Sequence, residues 1–495
     1  MTQRAPGPAP APPTVQETHS ATLFAVGDRV YKVKKPVDLG FLDFTTLESR
    51  RAVCHRELEL NRRLSPDVYL GVYEVYDETG TVCEHVLVMR RMPQERSLKA
   101  MVVGGKPVES GLRELARLLA AFHATADVSG AVEAAGSLQS VRENWRDGLD
   151  LLGEFAGPVV DLDTYERLRL LSDCYLDGRA ALFEQRRTLG RLRDGHGDLL
   201  AADIYLLDDG PRVLDCIEFD DDLRYGDVLL DVAFLAMDLE DLGRPDLGVS
   251  FLSAYEEFSG QVQPSSLASH YIAYRALVRS KVACLRWAQG DRASLEQARQ
   301  LAELCLRHLE LAQTRLVLVG GLPGTGKSTV AIGLADARGW TVLRSDVLRE
   351  QGLGPGQSAR YDAASRGAVY TELLGRARTA LSLGESVVLD ASWSGTHWRA
   401  EAEQVAKDTS SVLVQLRCEA PASVAADRML SRAAEGRDPS KADAEVAAQM
   451  ATRFAPWPSA YALDTTGDRE SVVAQADARV STALGHDGTF ASSRA

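Results

Sequence analysis

The run Arg315-Leu-Val-Leu-Val-Gly320 leads without interruption into Gly321-Leu-Pro-Gly324-Thr325-Gly326-Lys327-Ser328, and residues 328–337 then suit a helix. This junction constrains the fold more than any other feature. The GxxxxGK[ST] pattern works where a buried strand turns sharply into a helix, because the glycines let backbone N–H groups point inward and the helix starts at the ring they form. Gly321, Gly324, Thr325 and Gly326 then shape a phosphate cradle, and Lys327 reaches the β and γ phosphates of ATP. The Ser328 hydroxyl is offered to Mg2+, and Thr329 belongs to the same nucleotide-binding turn. Further short apolar runs at 341–345, 386–390, 411–417 and 461–464 alternate with helical stretches. That alternation predicts a doubly wound parallel sheet over residues 312–483.

Chemistry belongs at the carboxyl edge of such a sheet. Arg344-Ser345-Asp346 places a carboxylate there, suited to taking a proton from an attacking hydroxyl, and Asp390 ends an apolar strand as the natural partner of Ser328 for Mg2+. Arg428, Arg432 and Arg437 lie in a polar segment that could close over a transferred phosphoryl group. A lone strand-end Asp is often a helix cap, and an Arg cluster is usually a solvated face. Their order behind the loop favours the functional reading.

The pieces GLPGTGKST, RSDVLRE, SVVLDASW and ADRMLSR resemble small P-loop kinases of the polynucleotide kinase, gluconate kinase and zeta-toxin kind. The resemblance implies a P-loop NTPase fold and phosphoryl transfer from ATP to an alcohol. It also implies that Asp346 is the base toward the substrate hydroxyl and that Arg349 helps hold the substrate.

The preceding residues, 17–311, have a different grammar. Residues 21–33 alternate about a Gly27-Asp28 turn, as a β-hairpin does; a helical pattern spans 50–64 and a strand 81–89. Long helical stretches, including 112–124 and 165–189, precede a second strand pair at 204–207 and 213–217, and helices resume over 228–312. A β-rich lobe followed by a helical lobe with an inserted hairpin describes a two-lobed kinase-like domain. Within it, His196-Gly-Asp198-Leu-Leu-Ala-Ala-Asp203 precedes the hairpin, and Asp215-Cys-Ile-Glu218 ends its second strand. Asp198 would orient the attacking hydroxyl, and Asp215 would hold metal. Lys32 and Lys34 share one face of the strand after the turn, so either could reach nucleotide phosphates, with Glu57 as the ion-pair partner.

HGDLLAADIYLL, DCIEFDDDLRYGDVLLDVAFLAMDL and YKVKKP resemble the aminoglycoside phosphotransferase and choline kinase group. The arrangement looks closest to bacterial two-domain proteins that fuse such a domain to a P-loop domain. Leu200 stands where relatives usually carry His, and Asp203 where they carry a metal-binding Asn. Asp198, Asp203 and Asp215 would then converge on one metal, and their repulsion should raise one pKa. Two readings stay open: a second kinase site, or a non-catalytic domain that binds a metabolite or partner and regulates the first.

Composition trims the alternatives. At 495 residues the chain exceeds one core, and its formal charge of −14 opposes a polyphosphate partner, so a nucleic-acid 5′-hydroxyl kinase is the minority expectation. The acceptor expected is a small molecule with a hydroxyl, such as a sugar, aminosugar or aminoglycoside. Seven cysteines without a CxxC pair, no run long enough to cross a membrane, and a Pro- and Ala-rich start with no apolar signal core point to the cytoplasm. Residues 1–16 and 484–495 are expected to be flexible tails. The sequence does not set the oligomeric state. Lys32, Lys34 and Lys327 are three of only nine lysines among 56 basic residues, a bias that singles out places needing a compact charge. His123 is expected to be a packed or capping residue, the cysteines core filler, and Asp220–Asp222 a solvated loop.

Overall fold

The alternating residues on either side of Gly27 pair as a hairpin of β2 (Ala21–Val26) and β3 (Arg29–Lys34), and Gly27 takes the positive φ its tight turn demands. Ahead of them β1 (Thr14–Glu17) pairs antiparallel with β2, so residues 14–16 form an edge strand and not part of a tail. Beyond them β4 (Tyr69–Tyr76) and β5 (Val82–Arg90) complete a five-stranded sheet of order β1-β2-β3-β5-β4. Tyr and Val make up five of the eight residues of β4, a composition that favours a strand. The structure, a computed structural model, describes residues 14–18, 20–38, 43–351, 363–435 and 444–483. The expected tail 484–495, most of the 1–16 tail and Arg437 lie outside the described residues.

Two compact units result. The first takes residues up to Val160, Arg186–Gln263 and Tyr271–Cys305; the second takes Asp161–Gln185, Pro264–His270 and the chain from Leu306 onward. The division differs from a single boundary at 311/312, because two stretches from the earlier part of the chain group with the P-loop sheet. The Asp161–Gln185 stretch holds a helix, Leu162–Asp177, that ends where one continuous helix over 165–189 was expected. Gly178 follows it and lies against the backbone of Thr409, leaving no room for a Cβ.

In the first unit, β6 (Leu192–Asp194) carries the chain to the His196 loop, and β7 (Ile204–Leu207) returns as β8 (Gly210–Val213). The second hairpin strand therefore ends at Val213, not 217: Leu214 N–H donates to the Asp203 carbonyl, and Asp215 takes a left-handed backbone with φ 64°. After β9 (Tyr225–Asp227), which pairs with β6, the helix Val228–Asp241 runs through the unit with ten of its fourteen residues buried.

In the second unit, β10 (Arg315–Gly320) is buried along its whole length. With β11 (Thr341–Arg344), β12 (Val387–Asp390), β13 (Val412–Glu419) and β14 (Tyr461–Asp464) it makes a parallel sheet of order β11-β12-β10-β13-β14. Both faces are covered: Leu316, Leu318 and Trp393 lie in one core, Val317, Val319 and Leu334 in the other. This is the two-faced parallel sheet that continuous apolar strands imply. The expected fold class, a kinase-like domain and a doubly wound P-loop domain, is the one observed.

Candidate functional sites

In the second unit the helix Lys327–Arg338 begins at Gly326, and the loop before it is made by close backbone approaches. Gly321 has φ 137°, and a Cβ there would lie 2.5 Å from the Cys418 carbonyl; one on Gly324 would collide with the Ala425 carbonyl. These positions tolerate glycine alone. Thr325 Oγ1 donates to the Leu322 carbonyl at 2.8 Å and Lys327 Nζ to the same oxygen at 2.8 Å, so the lysine folds over its own loop. Thr465, after β14, donates to the Thr325 carbonyl and accepts from Arg428, whose guanidinium thereby flanks Gly326. Thr329 lies exposed on the first helical turn, and Arg432 lies in the helix Ala422–Glu435.

Ser328 Oγ donates to Asp390 Oδ2 at 2.6 Å, so the two expected Mg2+ ligands are in contact. Two hard oxygens side by side beneath a glycine cradle fit a magnesium–nucleotide. Asp346 opens the helix Ser345–Glu350 just past β11 and pairs with Arg349. A cavity of about 680 Å3 opens beside the loop, lined by Leu322, Thr325, Arg417, Glu419, Phe454 and Asp464 among others.

In the first unit the lysine question has a geometric answer. Lys32 Nζ lies 2.7 Å from Glu57 Oε1 and 3.0 Å from Asp215 Oδ1; Lys34 Nζ lies 2.7 Å from Glu57 Oε2 and 2.6 Å from Glu218 Oε1. Both lysines thus meet Glu57, but only Lys32 also reaches Asp215, while Lys34 is sealed at 1% exposure. Burial works against charge on each lysine. Asp215 and Glu57 outweigh it at Lys32, as Glu57 does at Lys34, and both pKa values are raised. Burial likewise opposes charge on Glu57, but the two lysines hold its pKa below the usual range.

The catalytic-type loop of this unit is crowded with acid. Burial pushes Asp198 up to about 6, and burial with the charges of Asp215 and Asp198 pushes Asp203 up to about 7, as expected for an Asp at the Asn position. Convergence of all three carboxylates on one metal is not observed: among the described residues no three His, Cys, Asp or Glu side chains are gathered closely enough to hold a metal ion. The left-handed turn at Asp215, where Tyr69 Oη accepts its N–H, aims that side chain at Lys32.

Comparison with known proteins fits both halves. A profile described as "Phosphotransferase enzyme family" matches residues 28–268, and one described as "AAA domain" matches residues 316–457. The Mycobacterium tuberculosis protein named "Uncharacterized protein Rv2004c" is 44% identical over 471 residues, covering 93% of this chain and 94% of that protein. A Mycobacterium bovis protein, "Uncharacterized protein Mb2027c", matches equally. The chain belongs to this two-domain family.

Solved structures similar to parts of this family member include a choline/ethanolamine kinase family protein from Mesorhizobium loti, at 15% identity over 61% of this chain and 92% of that one, with a TM-score of 0.38. A protein from Chloroflexus aurantiacus described as "a putative kinase" aligns at 24% identity over 34% of this chain and 98% of that one, with a TM-score of 0.29. Among the described residues of the family member, no helix is long and apolar enough to cross a membrane, and all seven cysteines are free thiols.

Several site residues of this family member carry no local motif. Asp231 and Asp238, seven apart on the buried helix Val228–Asp241, share one face and strap the loop 196–203 at both ends. Asp231 accepts the N–H groups of His196 at 2.8 Å and Gly197 at 2.9 Å, and Asp238 accepts that of Ala201 at 2.8 Å. His123, expected only to pack or cap, bonds Asp231 at 3.1 Å and the Tyr255 hydroxyl at 2.8 Å. Burial would raise Asp231, but the bonds from His123 and His196 hold its pKa low. An Asp inside an apolar helix was the available signal, because a buried carboxylate must find donors.

In the other unit Trp393 is wholly buried at φ 52°, a strained conformation for so large a residue. Its N–H donates to the Tyr370 hydroxyl at 3.0 Å, and the preceding Ser392 carbonyl accepts the N–H of Gly321 at 3.2 Å. The turn after Asp390 is thereby tied to the P-loop. Nothing in the sequence around Trp393 announces a left-handed residue.

Proposed function

We propose that the second unit transfers the γ-phosphoryl group of ATP to the hydroxyl of a small molecule, with Mg2+ held by Ser328 and Asp390. The observation that carries this reading is the contact of Ser328 with Asp390 at the same sheet edge where Asp346 and Arg349 stand paired. Mg2+ bound there would neutralise phosphate charge. Lys327 and the backbone N–H groups of the loop bind the β and γ phosphates; Arg428 flanks the loop. Asp346 takes the proton from the acceptor hydroxyl while Arg349, paired with it, orients the acceptor. The charge of −14 favours a sugar, aminosugar or aminoglycoside-like acceptor over a nucleic-acid end. The experiment is a screen of ATP consumption by the full chain against sugars, aminosugars, aminoglycosides, nucleosides and 5′-hydroxyl oligonucleotides. Transfer to none of them, with ATP hydrolysed all the same, would overturn the alcohol-kinase reading.

For the first unit we propose a second phosphotransfer site, with Lys32 on the nucleotide, Glu57 fixing it, Asp215 and Asp203 on metal, and Asp198 orienting the acceptor. The chain of ion pairs from Asp215 through Lys32 to Glu57 supports it. The regulatory alternative draws on the high pKa of Asp203, which leaves that carboxyl partly protonated near neutrality.

A further inference from the structure

The sheet register sets Arg344, the last residue of β11, opposite Asp390 on β12. Its guanidinium does not point away. Arg344 Nε lies 3.1 Å from Asp390 Oδ2, and a terminal guanidinium nitrogen lies 3.1 Å from Ser328 Oγ, the atom that itself donates to Asp390 Oδ2 at 2.6 Å. The three groups close a triangle. Asp390 is 6% exposed and Arg344 17%, so the carboxylate sits where a charge requires a partner and the fork supplies one in fixed geometry. The two oxygens held by the guanidinium are the same two this site offers a divalent cation.

We propose that Arg344 and the divalent metal compete for Ser328 and Asp390, so that entry of a metal–nucleotide requires the guanidinium to withdraw. The inference rests on the P-loop kinase reading for the identity of the metal site. It makes Arg344 a positioning residue: it keeps Ser328 and Asp390 together, and it raises the metal concentration at which nucleotide binds. A purely structural arginine predicts another result, since its loss would loosen the strand end and leave the metal requirement unchanged or raised.

The test is binding of a fluorescent ATP analogue to the full chain across a Mg2+ titration, in a Lys32→Ala background that silences the other unit. Arg344→Met should lower the half-saturating Mg2+ concentration about tenfold, the scale of one like-charge contact removed, and Arg344→Lys should fall between. Adding Asp390→Ala should abolish the difference that Arg344→Met makes, because the contested oxygen is gone. Circular dichroism reports folding, and Arg344→Gln gives the same readout if Arg344→Met unfolds. An unchanged or raised Mg2+ requirement overturns the competition. Absence of analogue binding in every version at saturating Mg2+ overturns the P-loop reading itself, which separates the two failures.

Discussion

The two sites solve the problem of holding a polyanion by different means. In the second unit the cradle is mostly backbone: glycines pressed against the carbonyls of Cys418 and Ala425, a helix start, and one lysine. Its carboxylates each have a cation, Asp390 beside Arg344 and Asp346 beside Arg349. In the first unit the site is all side chain, gathered from residues 32 to 218, and its acids outnumber the lysines that reach them. Lys32 and Lys34 are shared among Glu57, Asp215 and Glu218, while Asp198 and Asp203 are left with raised pKa values. A backbone cradle is insensitive to single charge changes; a side-chain cluster short of positive charge depends on the metal it recruits. The first site should therefore be the more metal-dependent and the more easily repaired.

The largest expected effect breaks this comparison most directly. Lys327→Ala should cut ATP turnover by the second unit roughly 10²–10³-fold, since the charge on the β and γ phosphates is lost in an enclosed site. Lys32→Ala should leave that turnover intact. Acceptor-dependent ATP consumption by the full-length variants decides it. Turnover that survives Lys327→Ala and vanishes with Lys32→Ala would exchange the roles of the two units.

Next comes Asp346→Asn. Phosphoryl transfer to the acceptor should fall about 10²-fold, with nucleotide binding nearly unchanged, because Asp346 lies outside the phosphate cradle. Separate titration of ATP binding and of transfer checks it. Equal loss of both would make Asp346 part of the nucleotide site.

What could be read from the sequence follows the same divide. The loop 321–328 was legible because its whole mechanism lies in eight consecutive residues, and Asp390 because it ends an apolar strand. Lys32, Lys34 and Glu57 were legible as a set through strand alternation and resemblance, although the choice of Lys32 needed the distance to Asp215. Arg344 and the Tyr370–Trp393 contact were not legible, and Asp231 and Asp238 showed only as acids in an apolar helix, without their partners. Each acts on a partner 23 to 46 residues away, through a strand register or helix face that only the folded chain defines. Asp215 reads as part of a strand because Val213 through Ile217 looks β, whereas the ladder ends at Val213 and Asp215 turns left-handed, donating its N–H to Tyr69 Oη.

A smaller effect sharpens the comparison at Asp203. In a Lys327→Ala background, Asp203→Asn removes one of the acids whose burial and neighbours push its pKa up to about 7, and it supplies an amide donor. The metal concentration needed for ATP binding should drop, and any transfer by the first unit should be kept or rise a few-fold. Calorimetry of ATP binding across Mg2+ and Mn2+ titrations is the measurement. Failure of either version to bind ATP at any metal concentration would leave the regulatory reading of the first unit.

The smallest effect leaves activity at neutral pH alone and bears on the stability of the second unit. His270 is fully buried, stacked on Tyr175 with ring centroids 4.2 Å apart, and burial with the nearby Arg179 charge lowers its pKa to about 3. The folded state keeps this ring neutral, whereas the unfolded chain takes up a proton near pH ~6.5. Between those values the unfolded state binds more protons, so stability falls as the pH drops, by about 3 kcal/mol at pH ~4.5. His270→Phe preserves a stacking ring and removes the titration. The variant should therefore gain on the wild type by about that amount between pH ~7.5 and ~4.5, whatever its standing at the upper end. Hydrogen exchange of the helix Ala363–Ser382, read within the second unit, avoids treating a two-unit chain as two-state. A gap between variant and wild type that stays constant with pH would show that His270 does not titrate on unfolding, and the acid sensitivity of this unit would have to come from its carboxylates.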